Sequence, residues 1–261
     1  MLKTIQAVLF DMDGVLYRGQ QVLEGVTELL HFLDTSGIAY ACVTNNAALT
    51  PQQYEAKLAA MGIQMSATRV ITSALVTGHY LRRHYPQGTR VFVVGMDGLR
   101  EALFADGYFV ADDVLPELVV QGADFQLTYE TLRKATLFIR GGAVFIATNP
   151  DKTFPAEEGL IPGSGAVTAA LVAASDVRPV VIGKPAPTMF LIAAELLGAT
   201  PEHTLVIGDR LDTDIGGALA AGMPSVLVLT GVSGRSEAEA GPIIPQMIMP
   251  DLTALLKAWQ G

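Results

Sequence analysis

Four short segments of this 261-residue chain carry side chains able to do chemistry, each placed just after an apolar run. The first is Asp11-Met12-Asp13-Gly14, directly behind Ala7-Val8-Leu9-Phe10. In extended backbone, residues two apart project to the same side. Two such carboxylates can divide labour as nucleophile and proton donor, and Gly14 permits a sharp turn behind them. The residues alone leave open which of Asp11 and Asp13 attacks.

The second segment, Thr44-Asn45-Asn46, offers a hydroxyl, two amides and backbone N–H groups that could hold a phosphate. The third is Gly183-Lys184-Pro185, where a lysine at a strand end can neutralise a phosphoryl oxygen and a nucleophilic carboxylate together. The fourth is Gly208-Asp209-Arg210-Leu211-Asp212-Thr213-Asp214, a strand end running into a helix start. Asp212 reads best as the N-cap of that helix, and Asp214 could be a first-turn acid favoured by the helix dipole, whereas Asp209 precedes the helix and has no such structural role. If Asp11, Asp13, Asp209 and Asp214 converge, four carboxylates face one lysine. Like charges within ~4–6 Å strongly disfavour simultaneous ionisation, so the site calls for a cation or a shared proton. With oxygen donors only, such a cation is a hard ion, and Mg²⁺ is the natural choice.

The elements that must position these groups alternate between apolar runs and amphipathic stretches at helical spacing. That pattern predicts an α/β fold with a Rossmann-like parallel sheet. Such sheets bind ligands in the crevice at the carboxyl ends of their strands. Ala7 to Phe10 is unbroken rather than alternating, as in a strand covered on both faces. Val26, Leu29, Leu30 and Leu33 form a helical stripe closed by Gly37, and Tyr40 to Val43 is the next strand. Pro51 opens a further helix after Thr50. Between about residues 73 and 178 the strands and helices read as a separate α/β unit, and the first pattern resumes with Val180-Val181-Ile182. The expected organisation is a core of residues 1–72 and 179–261 interrupted by an inserted domain, 73–178. Gly231 to Pro245, rich in small and charged residues, reads as a mobile loop with a short helical piece.

The net charge of −9 argues against a nucleic-acid partner. The single cysteine, Cys42, lies in an apolar stretch and excludes a disulfide framework or a multi-cysteine zinc site. Residues Met1 to Gln6 lack a signal-like apolar region and no later stretch reaches transmembrane length, so a cytoplasmic protein with no membrane partner is expected. His31, His79, His84 and His203 are scattered on helices or helix starts and read as surface or packing residues. Gly163-Ser164-Gly165 lacks the third glycine of a dinucleotide fingerprint and reads as a turn into a helix.

Taken together, the four segments resemble those of haloacid dehalogenase (HAD) superfamily phosphatases, subfamily IIA, the NagD-like and p-nitrophenylphosphatase-like proteins with an inserted α/β cap of the C2 type. The resemblance spans essentially the whole chain. It rests on Asp11 through Gly19, Thr44-Asn45-Asn46, Gly183-Lys184-Pro185 and Gly208-Asp209 through Asp214, with Phe145 through Asp151 and Gly159 through Gly163 matching the cap pattern. It implies a Mg²⁺-dependent phosphomonoester hydrolase acting on a small phosphorylated metabolite through an aspartyl-phosphate. By the same resemblance Asp11 is the nucleophile and Asp13 the acid and base. Thr44 and Lys184, with Asn45 and Asn46, hold phosphate. Mg²⁺ is held by Asp11, the Asp13 carbonyl and Asp209, with Asp214 and Gly14 in support. A homodimer through the cap is likewise implied. Asp13 argues against a dehalogenase. Phe154 stands near where related vitamin-phosphate phosphatases carry a histidine, which argues against a pyridoxal phosphate preference. Two other functions compete. A phosphotransferase or mutase of the same superfamily usually carries a smaller helical cap after the first segment, for which the short Asp13-to-Thr44 spacing leaves little room. A non-catalytic binder would not need a paired nucleophile and proton donor.

Overall fold

A computed structural model describes residues 2–156 and 158–261. The chain opens with β1 (Ala7–Phe10), wholly buried, followed by a small antiparallel hairpin of β2 (Tyr17–Arg18) and β3 (Gln21–Val22). Helix α1 (Val26–Thr35) buries Val26, Leu29, Leu30 and Leu33, the stripe expected from their spacing. Then come β4 (Ala39–Thr44), α2 (Pro51–Ala60) and β5 (Val70–Thr72).

The middle of the chain holds α3 (Ser73–His84), β6 (Arg90–Val94), α4 (Asp97–Phe104), β7 (Val110–Ala111) and β8 (Leu118–Gln121). It continues through α5 (Tyr129–Arg140), β9 (Val144–Ala147), the hairpin of β10 (Thr153–Ala156) and β11 (Gly159–Pro162), α6 (Ser164–Ser175) and β12 (Val180–Val181). The last part comprises α7 (Pro187–Leu196), β13 (Thr204–Gly208), α8 (Gly216–Ala220), β14 (Ser225–Val228), α9 (Arg235–Ala240), β15 (Met247–Met249) and α10 (Leu252–Gln260). Trp259 of α10 is buried and meets Phe32 of α1 edge-on, with ring centroids 5.8 Å apart.

Two compact units result. The first comprises Met1–Thr44, Gln52–Ile71 and Lys184–Gly261, the second Asn45–Pro51 and Thr72–Gly183. The first is built on a six-stranded parallel sheet in the order β15-β14-β13-β1-β4-β5. From central β1 the order runs one way through β4 and β5 and the other way through β13, β14 and β15. This reversal is the topological switch point where α/β sheets bind ligands.

The second unit has its own parallel sheet, in the order β12-β9-β8-β6-β7. Its core packs Val94, Val119 and Phe145 against Ala135, Ile139, Val167 and Leu171. One expectation needs correction here. Val180-Val181 does not resume the core sheet: it pairs with β9 as an edge strand of the inserted sheet. Its half-exposed Val-Val pair is long enough to close an edge but not to serve as a central strand. Lys184 therefore enters the first unit on a chain that has just left the second sheet. Among the described residues, no helix is long and apolar enough to cross a membrane.

Candidate active site

β1 and β13 lie side by side with Phe10 opposite Ile207, and the Asp11 N–H donates to the Ile207 carbonyl at 2.9 Å. Asp11 and Asp209 therefore leave neighbouring strands at the same end of the sheet. Asp214 joins them from a π-helical turn, Leu211–Ile215, that separates β13 from α8. One oxygen from each of Asp11, Asp209 and Asp214 can be chosen so that all lie within 4.8 Å of one another.

Lys184 closes the group. Its Nζ donates to Asp214 Oδ1 at 2.7 Å and to Asp11 Oδ1. The Lys184 side chain is 5% exposed and that of Asp214 1%, while Asp11 keeps 16% toward solvent. Burial alone would lower the Lys184 pKa, but Asp11 and Asp214 outweigh it and hold the ammonium above the ordinary lysine range. Burial raises the Asp11 carboxyl. Lys184 opposes that shift while Asp214 and Asp209 add to it, leaving Asp11 at about 7. Asp209 is pushed up to about 6, chiefly by burial and then by Asp214, against the Val232 amide and Lys184. Without a further cation, Asp11 and Asp209 thus hold their protons to higher pH than ordinary carboxyls do.

The donor set fits a hard divalent ion. Asp209 Oδ2 accepts the Val232 N–H at 2.7 Å, but its Oδ1 is buried without a hydrogen-bond partner. Such an orphan oxygen calls for an explanation, and a metal supplies one. Asp214 has both oxygens occupied, Oδ1 by Lys184 and Oδ2 by the Arg210 N–H at 3.1 Å. That leaves Asp11 and Asp209 as the side-chain ligands and Asp214 as the group that orients Lys184. With oxygen donors and a surplus of negative charge, Mg²⁺ suits the site better than a softer ion.

Asp13 stands apart from this cluster. It is exposed, and its backbone bridges to Tyr17 in the turn that Gly14 makes with φ of +83°. Its carboxyl is raised by partial burial, with Lys57 and Arg18 opposing. Lys57 donates to the Tyr17 hydroxyl at 3.2 Å and lies 4.7 Å from the ring centre. Neither Lys57 nor Tyr17 was singled out in the sequence, although a lysine on the otherwise weakly patterned α2 was a usable signal.

Thr44 ends β4 within the first unit, whereas Asn45 and Asn46 are held in the second. There the Asn45 amide donates to Asp151 at 3.0 Å, and its carbonyl accepts from Ser73 Oγ at 2.5 Å and from Asn149 at 2.6 Å. Asn46 Oδ1 accepts the Ala48 N–H at 2.8 Å. Both amides thus shape the Asn45–Pro51 segment. Asp212 is not a helix N-cap: its carboxylate pairs with the Arg210 guanidinium at 2.9 Å on the exposed side of the π-turn. The helical turn already opens at Leu211, so Asp212 lies inside it and not at the position before it.

The loop expected to be mobile begins instead as a wall of the site. Thr230 Oγ1 donates to the Gly14 carbonyl at 2.6 Å, and Arg18 donates to the Thr230 carbonyl. The Val232 N–H bonds the Asp209 side chain and the Ser233 N–H the Asp209 carbonyl, at 3.0 Å. These contacts run through backbone groups, which residue types do not reveal.

With this geometry in place, comparison with known proteins is informative. Residues 8–109 match the family model for haloacid dehalogenase-like hydrolases, and residues 181–255 match a second, HAD-hydrolase-like model. An acid sugar phosphatase of Staphylococcus saprophyticus is 37% identical over 256 residues, 98% of each chain. Among solved structures, a 4-nitrophenylphosphatase from Thermotoga maritima superposes with a TM-score of 0.93 at 35% identity, covering 99% of both chains. NagD from Escherichia coli K-12 gives 0.90 at 33% identity, covering 95% of this chain and 97% of that one. A glycerol phosphate phosphatase from Mycobacterium tuberculosis, solved with magnesium, gives 0.89 at 36% identity, covering 97% of this chain and 77% of that one.

Proposed function

The chain belongs to the haloacid dehalogenase-like hydrolase family and is a phosphatase of its NagD-like branch; on that premise we propose that it hydrolyses small phosphomonoesters through a phosphorylated Asp11 with Mg²⁺ as cofactor. The observation that carries the assignment is the placement of Asp11 against Lys184 and near Asp209. Of the two leading carboxylates, Asp11 is the one that bonds the buried Lys184 ammonium and lies beside Asp209, while Asp13 faces Lys57 and Arg18 outside that cluster.

In the first step a carboxylate oxygen of Asp11 attacks phosphorus as the bond to the leaving oxygen breaks, and Asp13 gives its proton to that oxygen. In the second step Asp13 takes a proton from water as the water oxygen attacks phosphorus. The bond to Asp11 breaks and inorganic phosphate is released. Partial burial and an upward-shifted carboxyl suit Asp13 to both roles. Lys184 offsets phosphoryl charge and holds Asp11 in line, Asp214 holds Lys184, and Thr44 offers a hydroxyl to the phosphoryl oxygens. Mg²⁺ held by Asp11, Asp209 and the Asp13 carbonyl would neutralise the carboxylates and the transferring phosphoryl group.

The names of the relatives support small sugar, glycerol and aryl phosphates as the substrate class. A panel of such esters, assayed with Mg²⁺ and with chelator, tests this reading. Turnover that needs Mg²⁺ supports it, and phosphate release unaffected by chelator contradicts it.

A further inference from the structure

Resting on the metal reading above, we infer that Thr230-Gly231-Val232-Ser233 is a crosspiece that orients Asp209, turning its buried Oδ1 toward the cation. The Asp209 carboxylate lies in a slot between two glycines. A Cβ added at Gly231 would overlap the carboxylate itself, and one at Gly14 would come within 2.6 Å of Oδ2 and 3.1 Å of Gly231 Cα. No other residue type leaves room for the carboxylate at either position. Within the slot, Oδ2 is taken by the Val232 N–H, so the carboxylate cannot rotate without losing a charge-assisted bond in a dry setting. Oδ1 is thereby left as the orphan oxygen.

Both ends of the crosspiece are fastened. On one side Thr230 Oγ1 bonds the Gly14 carbonyl, next to Asp13, and Arg18 bonds the Thr230 carbonyl. On the other side the Ser233 N–H bonds the Asp209 carbonyl, and Ser233 Oγ accepts the Leu211 N–H at 3.0 Å. The four residues therefore span from the turn behind Asp11 and Asp13 to the segment that carries Asp209 and Asp214. None of them needs to touch substrate. They set the spacing and rotation of groups that do, as outer-shell partners do at other metal sites.

The test is Mg²⁺ titration calorimetry on the full chain, with thermal melting of the metal-free protein alongside. Wild type should bind Mg²⁺, and Gly231→Ala should bind it about 10–100-fold more weakly, the range seen when outer-shell groups are lost. Thr230→Val, which keeps shape and removes only the bond to Gly14, should weaken binding in the same direction while melting close to wild type. If Gly231→Ala does not fold, Thr230→Val decides alone. Wild-type affinity in Gly231→Ala, or in Thr230→Val where that variant must decide, overturns the crosspiece. Absence of Mg²⁺ binding by wild type overturns the metal reading beneath it, a separate and distinguishable result.

Discussion

Lys184 and Asp214 form an ion pair at 2.7 Å with both side chains sealed from solvent, and the same ammonium bonds Asp11. Taking such charges out of water costs several kcal/mol per ion, which good geometry only roughly offsets. The arrangement therefore serves the site more than the stability of the fold. Removing the cation should expose that balance. Lys184→Met should lower the unfolding free energy at pH 8 by about 3–5 kcal/mol, because it leaves buried carboxylates uncompensated. At pH 5, where Asp11 is protonated, the loss should be smaller. Denaturant unfolding at the two pH values checks this, and an equal loss at both would contradict it.

The metal-free protein should become less stable as pH rises. Asp11 at about 7 and Asp209 at about 6 both lie above the ordinary carboxylate value near 3.8. The folded state therefore holds protons that the unfolded chain releases. Stability from this source is complete below about pH 4 and is lost as pH rises toward 7. Each group contributes a slope of at most about 1.4 kcal/mol per pH unit. Mg²⁺ should reverse the trend, since it binds the ionised carboxylates. The shift in melting temperature on adding Mg²⁺ should be larger at pH 8 than at pH 5. A shift that is the same or larger at pH 5 would count against Asp11 and Asp209 as ligands.

Asp13→Ala should separate proton transfer from metal binding. The general acid and base is lost, which reduces turnover by about 10²–10⁴-fold. Mg²⁺ binding should persist, because the ligand proposed at Asp13 is its backbone carbonyl, which alanine retains. Steady-state kinetics with p-nitrophenyl phosphate alongside calorimetry measures both. Wild-type turnover, or loss of Mg²⁺ binding with the fold intact, would reassign Asp13.

Much of this site is visible in the residues themselves. Asp11, Asp13, Lys184, Asp209 and Asp214 stand out because charged side chains next to apolar runs are costly unless they work together, and four of the five do lie together here. Hydrophobic spacing likewise sets out helices such as α1. What spacing does not encode is which sheet a short apolar run joins. Val180-Val181 reads as a core strand and proves to be an edge of the inserted sheet, because strand pairing is settled by distant partners. The crosspiece is invisible for another reason. It acts through N–H groups and through missing Cβ atoms, so Gly231 and Val232 look like ordinary loop residues. Asp212 reads as an N-cap because the π-turn that delays α8 has no clear mark in the residue pattern.

Asn149 and Asp151 fasten the Asn45 segment within the second unit. The Asn149 side chain bonds the Asn45 carbonyl and accepts the Asp151 N–H at 3.1 Å, while Asp151 bonds the Asn45 amide. Asn149→Ala should therefore destabilise the protein by about 0.5–1.5 kcal/mol for each hydrogen bond it removes, including those to the Asn45 carbonyl and from the Asp151 N–H. Thermal or denaturant unfolding reports the loss. Unchanged stability with altered substrate preference would instead place Asn149 in contact with substrate.

The central claim is that Asp11 carries the phosphoryl group, and the most direct test is to find it there. Wild-type protein turning over p-nitrophenyl phosphate with Mg²⁺ is quenched in acid, digested and mapped by mass spectrometry. A single phosphoryl group on the peptide containing Asp11, absent in Asp11→Asn together with turnover, is the predicted result. A phosphoryl group on another residue, or full turnover by Asp11→Asn, would contradict the account.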